Sequence, residues 1–206
     1  MLNQMPTRRT RQLELRFHRR GGKRDGAGRK PNGATAGVSH LRRPRFARTL
    51  PVHVTLCMAR HVYNLRSRRS FSVIGRALAR AADRFGVRVV RFSVQGNHVH
   101  LVLEAAATEA LSRAMQGFSI RVAKGLNRMM HRQGRVLADR YHARVLRSPT
   151  EVRRAVAYVR NNHQKHMAEI GRPLSPGFVD PYASEGASLA LPAPRTWLLR
   201  ANLRPP

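Results

Sequence analysis

The chain has 206 residues, with 40 Lys and Arg against 10 Asp and Glu, so its formal net charge is +30. This excess predicts a polyanionic partner, of which nucleic acid is the first choice. A single cysteine excludes an intrachain disulfide and a cysteine-rich zinc site. No apolar run approaches the roughly 18 residues of a membrane span, and the scattered carboxylates would hardly assemble a carboxylate-only two-metal site. We expect a cytoplasmic, nucleoid-associated protein.

The first segment, residues 1–48, is predicted to be a basic DNA-binding arm. Its stretch "RRGGKRDGAGRKPNGATAG" is rich in glycine and basic residues and has neither a helical nor a strand period. We expect such a segment to be disordered when free and to order on phosphates. Arg29 and Lys30, in "GRKP", are the candidate DNA contacts. The alternative is a solvated basic tail with non-specific phosphate affinity.

A compact domain is predicted over residues 49–168. Its elements, in chain order, are a strand at 51–58, a helix at 70–86 that ends at Gly86, strands at 87–94 and 98–104, a helix from 108 to about 132, a strand at 135–147 and a last helix at 149–167. The order predicts an α+β, ferredoxin-like βαββαβ fold, whose antiparallel sheet carries two helices on one face. Residues 169–206 are expected to form a loosely ordered tail, with Trp197 as a candidate anchor.

Two histidines lie in the stretch "HVHLVLE" of the third predicted strand. Side chains alternate faces along a strand, so His98 and His100 project together while Val99 and Leu101 project to the other side. The apolar side must cover the helices, which leaves both imidazoles on the open face, with His53 of the first strand as a neighbour. Such a pair can bind one divalent ion, or both can be ordinary residues of a sheet surface.

The last helix offers a partner for these histidines. At 100° per residue, Val152, Ala155, Val156 and Val159 form its buried stripe, and Tyr158 lies about 120° off that stripe. Asn162 follows one turn later on the side of Tyr158. A hydroxyl and a carboxamide on this helix could therefore reach over the open face. The alternative is that Tyr158 only caps the edge of the contact between helix and sheet.

The fourth predicted strand separates its side chains in the same alternating way. Tyr141 is in register with the apolar positions and is expected in the core. Arg140, His142 and Arg144 take the opposite face, where they are placed to meet DNA or the metal.

"GNHVHLVLE" followed by "AVAYVRNNHQKH" resembles the single-tyrosine HUH transposases, and within them the REP-associated tyrosine transposases of bacteria. The HUH motif matches His98, Val99 and His100, and the tyrosine-helix motif of the family matches Tyr158 and Asn162. The resemblance covers residues 49–168, over half of the chain.

This resemblance implies metal-dependent nicking and strand transfer on single-stranded DNA, often folded into a hairpin. Tyr158 would form a covalent 5′-phosphotyrosine, and His98 and His100 would hold Mg²⁺ or Mn²⁺ with Asn162 as third ligand. Relatives act either as monomers or as homodimers with shared active sites. Two alternatives stay open: a non-catalytic ferredoxin-like nucleic-acid-binding protein, and a domesticated transposase that retains structure-specific nicking.

Overall fold

The computed structural model describes residues 45–203 of the chain. Residues 1–44 and 204–206 lie outside the described part. Arg29 and Lys30 are among them, so their predicted DNA contacts stay predictions.

The described part contains five strands and four helices. In chain order they are β1 (Leu50–Cys57), α1 (Arg68–Ala81), β2 (Asp83–Arg84), β3 (Val87–Val94), β4 (His98–Ala105), α2 (Thr108–Met129), β5 (His142–Val145), α3 (Pro149–Glu169) and α4 (Trp197–Leu203). The strands form one antiparallel sheet in the order β2-β3-β4-β1-β5. Setting aside β2, this is the predicted ferredoxin-like βαββαβ order, with the first and third predicted strands side by side at the centre. The predicted fold class is confirmed.

The first helix ends earlier than predicted. It ends at Ala81. Strand β2 then pairs with the start of β3 in a hairpin that was not predicted from the sequence. Phe85 and Gly86 form its two-residue turn, with φ angles of 55° and 73°, as a tight hairpin of this hand requires. Gly86 therefore closes a hairpin and does not end the helix.

The fourth predicted strand is shorter than expected. Only β5 forms a ladder with β1, from Val52↔Val145 to Thr55↔His142. Upstream of it, the chain meets the end of β1 through an isolated bridge between Met58 and Leu137. Tyr141 is half-buried and packs against the main core, on the side that its register predicted.

Helices α1 and α2 pack on the first face of the sheet, over the alternate apolar residues of the strands. The buried side chains of the two central strands on this face are Val52, Val54, Leu56, Val99, Leu101 and Leu103. The apolar face predicted for the third strand therefore covers the helices, and its histidines lie on the second face.

The second face is not open, which corrects the prediction. Helix α3 crosses it, and α4 packs beside α3. A second apolar cluster joins Val102 of β4 to Val152 and Val159 of α3 and to Leu199 of α4. The face is apolar at this position, so a helix with an apolar stripe covers it and removes that surface from water.

The predicted loosely ordered tail is also corrected for its described residues. The Arg66 guanidinium donates two hydrogen bonds of 2.9 Å to the Asp180 carboxylate. The buried Glu104 carboxylate accepts hydrogen bonds from the backbone N–H of Thr196, at 2.6 Å, and from its hydroxyl. Trp197, the expected anchor, is 69 % exposed, whereas Leu199 is fully buried.

Within residues 45–203, no helix is both long enough and apolar enough to cross a membrane.

Candidate active site

The alternation of β4 sets His98 and His100 on the second face, and β1 supplies the residues beside them. Thr55 is the cross-strand partner of His100, and His53 precedes it by two residues on the same face. Directly opposed residues of an antiparallel pair share a face. The two central strands therefore bring three imidazoles and one hydroxyl together.

His100 is held by its neighbours through one ring nitrogen only. It is 3 % exposed, and its Nδ1 lies 3.1 Å from Thr55 Oγ1 and 3.3 Å from His53 Nε2. If Nδ1 carries the proton and donates it to one of these acceptors, the Nε2 lone pair stays available. Within the described residues, this buried Nε2 has no hydrogen-bond partner.

His98 is arranged in the same manner. Its Nδ1 lies 2.7 Å from the Asn97 side-chain oxygen, which can accept a hydrogen bond from it. Its ring centroid is 4.7 Å from that of His100. Both histidines can thus keep the proton on Nδ1 and present a bare Nε2.

The imidazoles of this cluster are neutral at pH 7. Burial lowers the pKa of His100 to about 3, with the neighbouring His98 and His53 adding to the shift. Burial, followed by the charges of His142 and Arg144, lowers the pKa of His53 to about 4. Burial also lowers the pKa of His98. A neutral imidazole is the form that binds a metal ion.

Helix α3 places Tyr158 at the edge of the histidine cluster. The helix begins after Ser148, whose hydroxyl accepts a hydrogen bond from the Glu151 N–H, and Pro149 occupies its first turn. Its apolar stripe packs on the sheet, and Tyr158 flanks that stripe. The Tyr158 ring contacts the His100 ring edge-on, with 5.1 Å between the two centroids. Tyr158 is 42 % exposed. The phenol therefore adjoins the histidines and remains accessible to a substrate.

Asn162 lies deeper than predicted. It continues the buried stripe of α3 after Val159, and it is 1 % exposed. Neither its Oδ1 nor its Nδ2 has a hydrogen-bond partner among the described residues. A buried amide without partners costs about 1–3 kcal/mol, so such a group requires an explanation.

The unpartnered atoms fit a divalent metal ion. His100 Nε2 and Asn162 Oδ1 are buried lone pairs without a donor, and imidazole nitrogen with amide oxygen is a donor set that Mn²⁺ accepts. The described residues hold no group of three or more His, Cys, Asp or Glu that could bind a metal. The predicted set differs from such groups because its third member, Asn162, is an amide.

His166 was not singled out from the sequence. Its ring centroid lies 6.1 Å from that of His98, and its Nδ1 lies 3.3 Å from Glu169 Oε2. It follows Asn162 by one helical turn, so the same helical period would have placed it at the site.

The predicted DNA contacts on the fourth strand lie beside this cluster. His142 and Arg144 are exposed and pair in register with Thr55 and His53, so they share the histidine face. Arg144 also forms an ion pair of 3.0 Å with Glu151. Arg140 lies just before β5 and is half-buried. His142 and Arg144 lie on the predicted face, and binding to DNA by all three residues stays a prediction.

A protein-family model described as "Transposase IS200 like" matches residues 47–162, more than half of the chain. The matched range contains both histidines of the pair, Tyr158 and Asn162. The molecule is thus a transposase by class, which makes it a DNA-processing enzyme. It belongs to the IS200-like transposase family, and the predicted family resemblance is confirmed.

Among solved structures, the chain is similar to a REP-associated tyrosine transposase bound to a REP hairpin. The two are 16 % identical, the TM-score is 0.50, and the match covers 74 % of this chain and 99 % of the other. A protein from Deinococcus radiodurans R1, whose assignment as a transposase is itself provisional, matches with 14 % identity, a TM-score of 0.42 and coverage of 66 % and 100 %. At 16 % identity, the match to the REP-associated tyrosine transposase shows that the two folds are similar. No curated protein matches the chain.

Proposed function

We propose that this transposase nicks single-stranded DNA and transfers strands through a covalent 5′-phosphotyrosine on Tyr158. The observation that carries the proposal is the position of the Tyr158 ring, 5.1 Å from that of His100. Beside it lie the buried, unpartnered His100 Nε2 and Asn162 amide. A protein that only binds nucleic acid has no need of these unsatisfied atoms next to an accessible phenol.

In the proposed reaction, Tyr158 Oη attacks the scissile phosphorus and a phosphorus–tyrosyl oxygen bond forms. The bond from phosphorus to the 3′ oxygen breaks, and the phenolic proton ends on the released 3′-OH. The number of phosphodiester-type bonds is unchanged, so a 3′-OH can later attack the phosphotyrosine and rejoin a strand without ATP.

His98, His100 and Asn162 would hold Mg²⁺ or Mn²⁺. When bound, the ion would supply charge stabilisation at the scissile phosphate. Thr55 and His53 orient His100 through its Nδ1, at 3.1 and 3.3 Å. Asn97 does the same for His98. Partners of this kind fix the ring orientation and tautomer of a ligating histidine.

Several observations support DNA as the substrate. The chain carries a net charge of +30, and the similar solved transposase is bound to a REP hairpin. Exposed Arg144 borders the cluster beside His142, and its guanidinium adds positive potential where a phosphate would arrive. A cytoplasmic, nucleoid-associated location and a monomeric or homodimeric state belong to the same proposal.

The test is covalent capture of DNA by the nucleophile. Full-length protein is incubated with a labelled hairpin that carries single-stranded flanks, in Mn²⁺, and adducts are scored on a denaturing gel. We expect Tyr158→Phe to abolish the adduct, because the ring remains and only the attacking oxygen is removed. EDTA should abolish the adduct of the unmodified protein.

Tyr63→Phe is the matched control, since Tyr63 is exposed and outside the cluster. It should form the adduct normally, and both variants should bind the hairpin as the unmodified protein does. A covalent adduct formed by Tyr158→Phe would overturn the assignment. Binding without any adduct by the unmodified protein would favour the non-catalytic alternative.

A further inference from the structure

A groove of about 540 Å³ lies at the outer edge of β3, between this strand, the tail segment before α4 and α4 itself. Cavities of roughly 300–1,000 Å³ are typical of ligand sites. Its walls are mostly aliphatic and are formed by Val90, Leu189, Leu191, Pro192, Pro194 and Leu203. Neither Tyr158 nor a residue of the histidine cluster lines this β3-edge groove, so it is separate from the candidate active site.

The groove opens where the outer side of β3 is left uncovered. Strand β2 pairs with only the first two residues of β3, and the tail meets β3 again at the bridge between Ser93 and Ala183. Between these two places, the register of β3 with β4 shifts at a bulge between Val89 and Arg91. A bulge bends the strand and redirects its side chains. Val90 and Arg91, at this bulge, both line the groove.

Two guanidinium groups border the aliphatic walls. Arg91 Nη1 forms an ion pair of 3.4 Å with Glu185 Oε1, whereas Arg91 Nε is buried and has no hydrogen-bond partner among the described residues. Such a buried donor requires an explanation. Arg200 of α4 also lines the groove and is exposed. Because a guanidinium has five N–H donors, Arg91 can serve a second carboxylate beside Glu185.

Aliphatic walls bordered by guanidinium groups suit a ligand that is both apolar and anionic. Single-stranded nucleic acid is bound by stacking of its bases on aromatic rings, and no aromatic side chain of the described residues lines the groove. Leucine and proline walls instead match the apolar side chains of a peptide. The net charge of +30 favours an acidic partner as well.

We propose that the β3-edge groove binds an acidic peptide segment with apolar side chains, supplied by a protein partner. The apolar side chains of the peptide would be buried against the aliphatic walls. Its carboxylates would pair with Arg200 and with Arg91, which would then bridge the peptide and Glu185. This interaction goes beyond the proposed function, because it requires neither Tyr158 nor a metal ion.

The test measures binding of two fluorescein-labelled heptapeptides to the full chain in EDTA, by fluorescence anisotropy near physiological salt. The probe is Asp-Leu-Asp-Leu-Asp-Leu-Asp, and the matched peptide has Ser in place of each Leu. Both carry the same charge, so attraction to a basic protein affects them equally. The leucine peptide should bind at least about ten-fold more tightly, because leucine side chains leave water on binding. Equal affinities would overturn the proposal.

Two tryptophan variants locate the binding site. Ala193 is exposed and lines the groove, so the indole of Ala193→Trp should occupy the space of the peptide and weaken binding at least about ten-fold. Ala201→Trp is the matched control, because Ala201 is exposed on α4 and does not line the groove. It should bind the leucine peptide as the unmodified protein does. Thermal unfolding confirms that both variants are folded, and equal affinities of the two variants would contradict the site.

A second pair of variants tests the charge. Arg200→Gln should weaken the leucine peptide about three- to five-fold, as expected for an exposed ion pair. Arg172→Gln removes an exposed arginine outside the groove and should have no such effect. An Arg200→Gln variant that binds no more weakly than Arg172→Gln would overturn the role given to this guanidinium.

Other occupants of the groove give different results. A short single-stranded oligonucleotide should bind Ala193→Trp and Ala201→Trp equally, and a selective loss for Ala193→Trp would assign the groove to DNA and overturn the proposal. Decanoate that binds more tightly than the leucine peptide and displaces it would assign the groove to a small apolar anion instead. Because none of these measurements uses the covalent adduct, failure of the proposed chemistry would leave their outcome unchanged.

Discussion

At the scale of single residues, the site is built from polar atoms that the fold itself leaves unsatisfied. Asn162 and His100 are almost fully buried, and Asn162 Oδ1, Asn162 Nδ2 and His100 Nε2 have no hydrogen-bond partner among the described residues. A fold selected only for stability would replace such groups by apolar residues of similar shape, which is often neutral or stabilising. Their presence therefore lowers the stability of the folded state, and metal binding is the role that the proposed function gives them.

Asn162→Leu tests whether this amide lowers the stability of the folded protein and contributes to metal binding. The substitution removes the unsatisfied amide at nearly constant volume, so the metal-free variant should gain about 1–3 kcal/mol in free energy of unfolding. The stabilisation that Mn²⁺ gives to the unmodified protein, which follows from binding to the folded state alone, should be lost. Urea unfolding with and without Mn²⁺ measures both effects.

Asn161→Leu serves as the control because Asn161 is adjacent and exposed. It should change the free energy of unfolding by no more than about 0.5 kcal/mol and keep the Mn²⁺ effect. A destabilised Asn162→Leu variant that still responds fully to Mn²⁺ would contradict the role given to this amide.

At the scale of elements, α3 carries the tyrosine and the amide, and α4 with the segment before it fixes α3 on the sheet. Leu199 joins the apolar cluster that α3 forms with the second face. Glu104, at the other end of the strand that carries the histidines, binds the backbone at the start of α4. The tail expected to be loosely ordered therefore belongs to the support of the site.

Leu199→Ala should cost about 2–5 kcal/mol in free energy of unfolding, because it removes a fully buried side chain and leaves a cavity. Trp197→Ala should change it by no more than about 0.5 kcal/mol, since that indole is 69 % exposed. Urea unfolding of the two variants measures both changes in free energy. A larger loss of unfolding free energy for Trp197→Ala than for Leu199→Ala would show that Trp197 anchors the tail, as the sequence predicted.

At the scale of the whole molecule, the two faces of the sheet carry side chains with different charge properties. The second face concentrates imidazoles that burial keeps neutral, with His53 and His100 at pKa values of about 4 and 3. The first face carries exposed arginines on α1 and α2, whose charge does not depend on pH in the range where the protein is folded.

The neutral histidines predict a loss of stability in acid. Between pH 6.5 and about 4, the unfolded chain binds protons at His53 and His100 that the folded protein excludes, so the free energy of unfolding falls as pH falls. Metal-free protein in EDTA should show a decrease in Tm from pH 7 to pH 4.5. Replacing His53 by Gln should make the decrease shallower.

His131→Asn is the matched control, because His131 is exposed and distant from the cluster in sequence. It should follow the unmodified protein at every pH. A Tm that stays constant from pH 6.5 to 4.5, or an equal decrease in the His53 variant, would show that these imidazoles are not kept neutral by folding.

The sequence by itself determined the order of the main strands and helices, the faces of the central strands and the family. Alternation in "HVHLVLE" placed His98 and His100 together because a strand repeats every two residues, and the helical period placed Tyr158 beside the buried stripe of α3. Both are local periodicities, which depend only on the residues of one segment and not on the elements that pack against it. The hairpin turn at Phe85 and Gly86 was missed, because Gly also ends helices and only the pairing of β2 with β3 separates the two roles.

Tertiary structure alone decided what surrounds each of those side chains. No periodicity reveals that α3 covers the second face, that α4 secures it, or that Asn162 and His100 retain atoms without partners. Exposed arginines of α1 and α2 likewise line one groove only because the two helices pack closely at Gly125. Burial and charge compensation depend on residues far apart in sequence, so they are properties of the assembled fold.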